Sequence, residues 1–143
     1  MNAGQQQLDD VQEGDLHFRV PAAAARLTGL RHALAEWAEQ SGLSAEDREA
    51  LTLASYEAMA NSVEHAYEGQ LQGVLDLRAV RDQKQGRVTV TVTDFGQWKP
   101  PPIDPGSRGR GLPLIRGLTP DTEITPSDQG TMVSMSWPIA AED

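Results

Sequence analysis

Hydrophobic and polar positions follow two different periods along this chain, and the switch between them sets out its elements. From Ala22 to Gly42, Leu27, Leu30, Leu34 and Trp37 recur at helical spacing among strong helix formers, and Gly42 ends the run. "SAED" at 44–47 then reads as a capping box, with Ser44 as N-cap and Asp47 in place of the usual glutamate. It opens a helix that runs through "LASYEAMANSVEHAYEG" to Gly69. Elsewhere the period is two. "DLHFRVP" at 15–21 alternates Leu16, Phe18 and Val20, as a strand with one buried face does. "GVLDLRAVRD" and "RVTVTVTD" are two further strands joined by the polar turn "QKQG", with Val88, Val90 and Val92 on one face and threonines on the other. Residues 95–111 are too dense in proline and glycine to be regular. "LPLIRGL" predicts a short helix with Pro113 in its first turn, and "DTEITP" and "TMVSMSWPI" predict two closing strands around "SDQG". Trp37, Trp137 and the methionines are assigned to the core.

Helices interleave with strands, but the turns between strands are short. The predicted class is therefore α/β (α+β), a two-layer sandwich with a mostly antiparallel mixed sheet and helices on one face. Residues 1–14 are rich in Gln and Asp without periodicity and read as a mobile tail, leaving one domain over 15–140.

Composition narrows the function. The chain has no cysteine, which excludes disulfides, thiolate metal sites and a cysteine nucleophile. No apolar run is long enough to span a membrane and the N-terminus lacks a signal pattern, so a cytoplasmic location is expected. The formal net charge of −9 argues against direct binding to nucleic acid or an anionic membrane. That charge is uneven. Residues 1–70 carry twelve acids and four bases, whereas Lys99, Arg108, Arg110 and Arg116 face only Asp104 within 97–117. A short positive Gly/Pro-rich loop in an acidic protein suits a small anionic ligand, although a merely solvated loop has the same composition.

Three groups of residues carry chemistry. Glu57, Asn61 and His65 are spaced by four on the second helix, so successive members are rotated by only about 40° and share a stripe. Asparagine is a poor choice inside a helix. Its neutral hard oxygen is a reasonable Mg²⁺ ligand, and a carboxylate one turn away could take a proton from a nucleophile. A solvated polar stripe gives the same spacing. Second, Asp94 ends an apolar strand and Gly96 follows in the turn; a strand-end carboxylate accepts from an exocyclic amine, although Asp and Gly end strands for many reasons. Third, "GSRGRGLPLIRGL" places Gly109 and Gly111 ahead of the short helix, where backbone N–H groups, the helix dipole, Arg108 and Arg110 could together hold phosphate. It is neither a P-loop nor a dinucleotide fingerprint.

Taken in order, these motifs resemble those of the GHKL (Bergerat-fold) ATPases. "EAMANSVEHAY" is similar to their N-box, "DFG" to the first glycine box, "GRGLPLI" to the second and "GTMVSM" to the late Gly-Thr motif. The compact length and "EHAYEG" most resemble the anti-sigma-factor serine/threonine protein kinases of bacterial stress and sporulation regulation, over about residues 15–138. The resemblance implies a Bergerat-type ATP-binding fold with ATP and Mg²⁺ as cofactors. It further implies that Asn61 binds Mg²⁺, Glu57 is the general base, Asp94 and Gly96 recognise adenine with support from Thr131, and Gly109 to Leu112 hold phosphates under a lid over about 97–110. His65 takes a supporting role. Two departures stand out: Gln97 and Trp98 replace the end of the usual first glycine box, and Pro100, Pro101, Pro102 and Pro105 stiffen the lid. Trp98 is either a lid residue over the nucleotide or an apolar anchor.

The function implied is phosphorylation of a small anti-anti-sigma (STAS-type) protein coupled to sequestration of a sigma factor. The alternative is a nucleotide-responsive anti-sigma or adaptor module without transfer. The catalytic domain of a histidine kinase is a third reading, disfavoured because no dimerisation helix with a phosphorylatable histidine precedes the domain. The Leu/Trp face of residues 27–37 is either core or a homodimer surface.

Overall fold

The computed structural model describes residues 14–66, 73–96, 115, 117–127 and 130–139, with only the backbone of His65, Ala66 and Ser127. Strand β1 (Leu16–Pro21) leads into helices α1 (Ala24–Glu39) and α2 (Ala45–Asn61); strands β2 (Val74–Asp82), β3 (Arg87–Asp94), β4 (Asp121–Ser127) and β5 (Gly130–Pro138) follow. The sheet has the order β1-β2-β3-β5-β4. Every pairing among its described strands is antiparallel, in keeping with the mostly antiparallel sheet expected from the sequence. Short turns explain the β2–β3 and β4–β5 pairs, because hairpin turns join only antiparallel neighbours, whereas β1–β2 and β3–β5 are paired across longer connections.

The alternation of β3 is realised in full: Val88, Val90 and Val92 are completely buried and Thr89, Thr91 and Thr93 half-buried. In register with them lie Leu77 and Ala79 of β2 and Val133 and Met135 of β5, which form the floor of the core. Leu27, Leu30 and Leu34 of α1 and Leu51, Ala54, Ala58 and Met59 of α2 close it from above. Helices thus cover one face of the sheet, the two-layer arrangement predicted. The Leu27–Leu34 stripe is buried within this core and offers no homodimer surface. Trp37 is half-buried at its margin, where its indole N–H donates to the Gly14 carbonyl at 2.6 Å.

Local signals account for the helix ends. Gly42 adopts φ +92° after α1, a conformation that a side chain disfavours. The Ser44 hydroxyl accepts from the Asp47 amide at 3.1 Å, and Glu46 and Asp47 sit at the positive end of the α2 dipole. Assignment of all the methionines to the core needs correction. Met59 and Met135 are fully buried, but Met132 is 40% exposed because the two-residue period of β5 turns it to the opposite face from Val133 and Met135. Phe18 also stays exposed, since β1 is an edge strand with less to pack against than the strands inside the sheet.

Candidate functional site

The α-helical winding of α2 stops at Asn61, and residues Ser62–Ala66 form a single π-helical turn. Asn61 therefore does not sit mid-helix, as the sequence suggested, but at a change of winding. Wider turns of this kind are rare and cluster at functional sites. Glu57 and Asn61 remain on one stripe within the α-helical part, Glu57 half-buried and Asn61 only 9% exposed. The predicted extension of that stripe to His65 assumed α-helical winding, which does not hold there, and the imidazole itself lies outside the described residues.

Ser62, the next residue, fastens the helix to the sheet. Its hydroxyl donates to Asp94 Oδ2 at 2.9 Å, and both residues are 1% exposed. The other carboxylate oxygen, Oδ1, accepts from the Gly96 backbone N–H at 3.2 Å. A buried carboxylate needs such donors, because leaving one unpaired inside a protein is costly. Asp94, Gly96, Ser62 and Asn61 are thus brought to one corner, where the end of β3 meets the end of α2.

Thr131, 3% exposed, is the register partner of Asp94 on β5 and shares its side of the sheet. Gly130 precedes it at φ +147°, and a Cβ there would collide with the Asp94 carbonyl and crowd Phe95. Only glycine permits β5 to approach the Asp94 turn so closely. Behind the turn, the Arg19 guanidinium lies 5.1 Å from the Phe95 ring centroid and donates to Asp76 Oδ2 at 3.1 Å; His17 Nε2 meets the same oxygen at 2.9 Å.

Sequence reasoning did not single out Ser62. A signal existed: position 62 continues the core-facing row of Leu51, Ser55 and Ala58, where a hydroxyl must find a buried partner. Arg108, Gly109, Arg110, Gly111 and Leu112, together with the predicted lid and Trp98, lie outside the described residues. Of the predicted helix at 112–118, Ile115, Gly117 and Leu118 are helical, and Ile115 is fully buried.

The donor set can be matched to the expected ligands. Among the described residues, no three His, Asp or Glu side chains are grouped to hold a metal by themselves. One buried amide oxygen and a carboxylate a turn away instead suit a divalent cation that keeps waters and shares a nucleotide's phosphates. A buried carboxylate at a strand end, accepting through both oxygens, suits recognition of an amine-bearing base. The residues present fit ATP with Mg²⁺. A separate cavity of about 770 Å³ near Trp37, Ser41, Arg81 and Lys84 lies toward the opposite end of the sheet, where β2 ends at Asp82, and holds none of these groups.

The sequence profile of the histidine kinase-like ATPase domain matches residues 20–137. The chain belongs to this family. The crystal structure of the RsbU and RsbW domains of Rv1364c from Mycobacterium tuberculosis matches with a TM-score of 0.71 at 23% identity, over 90% of this chain and 33% of that one. The blue-light activated histidine kinase EL346 of Erythrobacter litoralis matches with a TM-score of 0.59 at 23% identity, over 84% of this chain and 42% of the other. This chain therefore spans less than half of either, and both likenesses establish the fold. No described helix is long and apolar enough to cross a membrane.

Proposed function

We propose that this ATPase-family domain is a serine/threonine protein kinase that acts as an anti-sigma factor, phosphorylating a small anti-anti-sigma protein and holding a sigma factor. The observation that carries the reading is the Ser62–Asp94 hydrogen bond, which joins the Glu57/Asn61 stripe to the strand-end carboxylate in one corner. When bound, ATP with Mg²⁺ supplies the phosphoryl group and part of the neutralisation of its charge. The chain's own residues bind and orient. Asp94 accepts from the adenine amine, with Ser62 and the Gly96 amide fixing its carboxylate. Asn61 presents its amide oxygen to the cation. Glu57, one turn earlier and half-buried, takes the proton from the attacking hydroxyl. Arg108, Arg110 and the glycines 109 and 111 are assigned to the phosphates on sequence alone.

Positioning and charge neutralisation carry most of phosphoryl transfer, so this small set suffices. The "EHAYEG" stretch at 64–69 supports an anti-sigma kinase over a histidine kinase. A second reading, a nucleotide-responsive binding module without transfer, draws on Gln97 and Trp98 in place of the usual end of the first glycine box. Glu57→Gln separates the two. It should leave ATP affinity within about twofold while lowering transfer to an anti-anti-sigma substrate by about a hundredfold or more, the usual contribution of a general base. Equal transfer by wild type and Glu57→Gln would remove the catalytic role of Glu57.

A further inference from the structure

Beyond the nucleotide corner, α2 carries a second feature that the site does not use. A groove of about 690 Å³ runs between the N-terminal half of α2 and the segment Gly117–Pro120. Its α2 wall is formed by Glu46, Asp47, Glu49, Ala50 and Leu53, and its opposite wall includes Leu118 and Pro120. Among the described residues that line it, none is basic. Leu53 is 42% exposed there, the most open leucine among the described residues of a helix that otherwise buries its apolar side chains well.

Helix geometry links this groove to the site. Residues 46, 50, 53, 57 and 61 fall within about 80° of one another around an α-helix. They form one stripe that begins exposed at Glu46, passes Leu53, becomes half-buried at Glu57 and ends buried at Asn61. Leu53 precedes Glu57 by about 6 Å along the axis, and Glu46 by about 16 Å. The opposite wall is held firmly: the Trp137 indole N–H donates to the Leu118 carbonyl at 2.9 Å and the Thr119 hydroxyl donates to the Ser136 carbonyl at 2.7 Å. Glu46 and Asp47 have an explanation in the helix dipole. The dipole does not explain Glu49 or the exposed Leu53, nor why both line a formed groove.

We infer that this groove is the docking channel for the protein substrate of the proposed kinase, and that its occupant is a basic amphipathic segment. Lysine or arginine side chains of the substrate meet Glu46, Asp47 and Glu49, and an apolar side chain packs between Leu53 and Leu118. The acceptor hydroxyl lies one helical turn beyond that anchor, at Glu57. Charge complementarity selects the occupant, because three carboxylates around an apolar floor repel acidic segments and attract cationic side chains more strongly than neutral polar ones. The inference rests on the kinase reading and names the class of substrate that reading left open.

The probe is a fluorescein-labelled twelve-residue peptide with four lysines, three leucines and one serine, beside a counterpart with glutamates for the lysines. Anisotropy is measured at 0.15 M salt with ATP and Mg²⁺ present, and ATP affinity is measured by calorimetry on the same samples. The lysine peptide should bind wild type and the glutamate peptide should not. Glu46→Lys/Glu49→Lys and, separately, Leu53→Asn should each weaken binding at least tenfold without changing ATP affinity. Glu36→Lys/Glu39→Lys, the same charge change on the exposed side of α1, should weaken it less than twofold. Equal weakening by the two lysine doubles, no effect of Leu53→Asn, or no binding of the lysine peptide would overturn the channel. Failure of wild type to bind ATP would instead strike the kinase reading itself.

Discussion

Ser62 would be an odd choice on propensity alone, yet its hydroxyl holds a carboxylate that is only 1% exposed. Replacing it with alanine leaves Asp94 Oδ2 without that donor in a buried setting, which costs about 1–3 kcal/mol. Ser62→Ala should therefore lower unfolding stability by that amount in urea titrations and weaken ATP binding together with it. A stability loss with unchanged ATP affinity would mean that the hydrogen bond only packs the helix and does not orient the carboxylate. Asn61, Asp94 and Gly96 were singled out from the sequence by residue type and position, and Thr131 only through the motif resemblance. Ser62 was not, because its partner lies 32 residues away and no local period reports such a contact. The importance of Gly130 was visible only as part of a motif. Its reason, the close approach to the Asp94 carbonyl, is a property of strand pairing that appears only when β5 is laid beside β3.

The elements themselves were read well where a simple period governs them. Strand β3 matches the predicted "RVTVTVTD" residue for residue, since one face packs against helices and the other does not. The start of α2 was equally legible, because the Ser44 cap is a local interaction. Ser44→Ala should lower stability by about 1 kcal/mol. The cap lies at the far end of α2 from Asn61, so ATP affinity should stay within about twofold. A shift in the urea midpoint with an unchanged slope would identify this as a pure stability effect. The far end of α2 was misread. A period of 3.6 residues extrapolated past Asn61 gives a straight stripe to His65, whereas the chain widens into a π turn over Ser62–Ala66. Nothing in the spacing of apolar residues announces that change.

At the scale of the whole molecule, the helices cover one face of a five-stranded antiparallel sheet and the site sits where that layer meets the end of the central strand. The two-layer class was legible from short turns and interleaved elements. The strand order β1-β2-β3-β5-β4 was not, since it depends on non-local pairing. The acidic balance, a net −9, also belongs to this scale. It argues that an ATP site here needs local positive groups and a cation, and that protein partners with basic surfaces are favoured over nucleic acid.

In the proposed site Asn61 holds ATP through a divalent cation and Asp94 holds its adenine. Calorimetric titration of ATP with and without Mg²⁺, on wild type, Asn61→Ala and Asp94→Asn, tests it most directly. Wild type should bind in a Mg²⁺-dependent way, Asn61→Ala should lose that Mg²⁺ dependence, and Asp94→Asn should bind at least tenfold more weakly. Wild type that fails to bind, or variants that bind as wild type does, would contradict it.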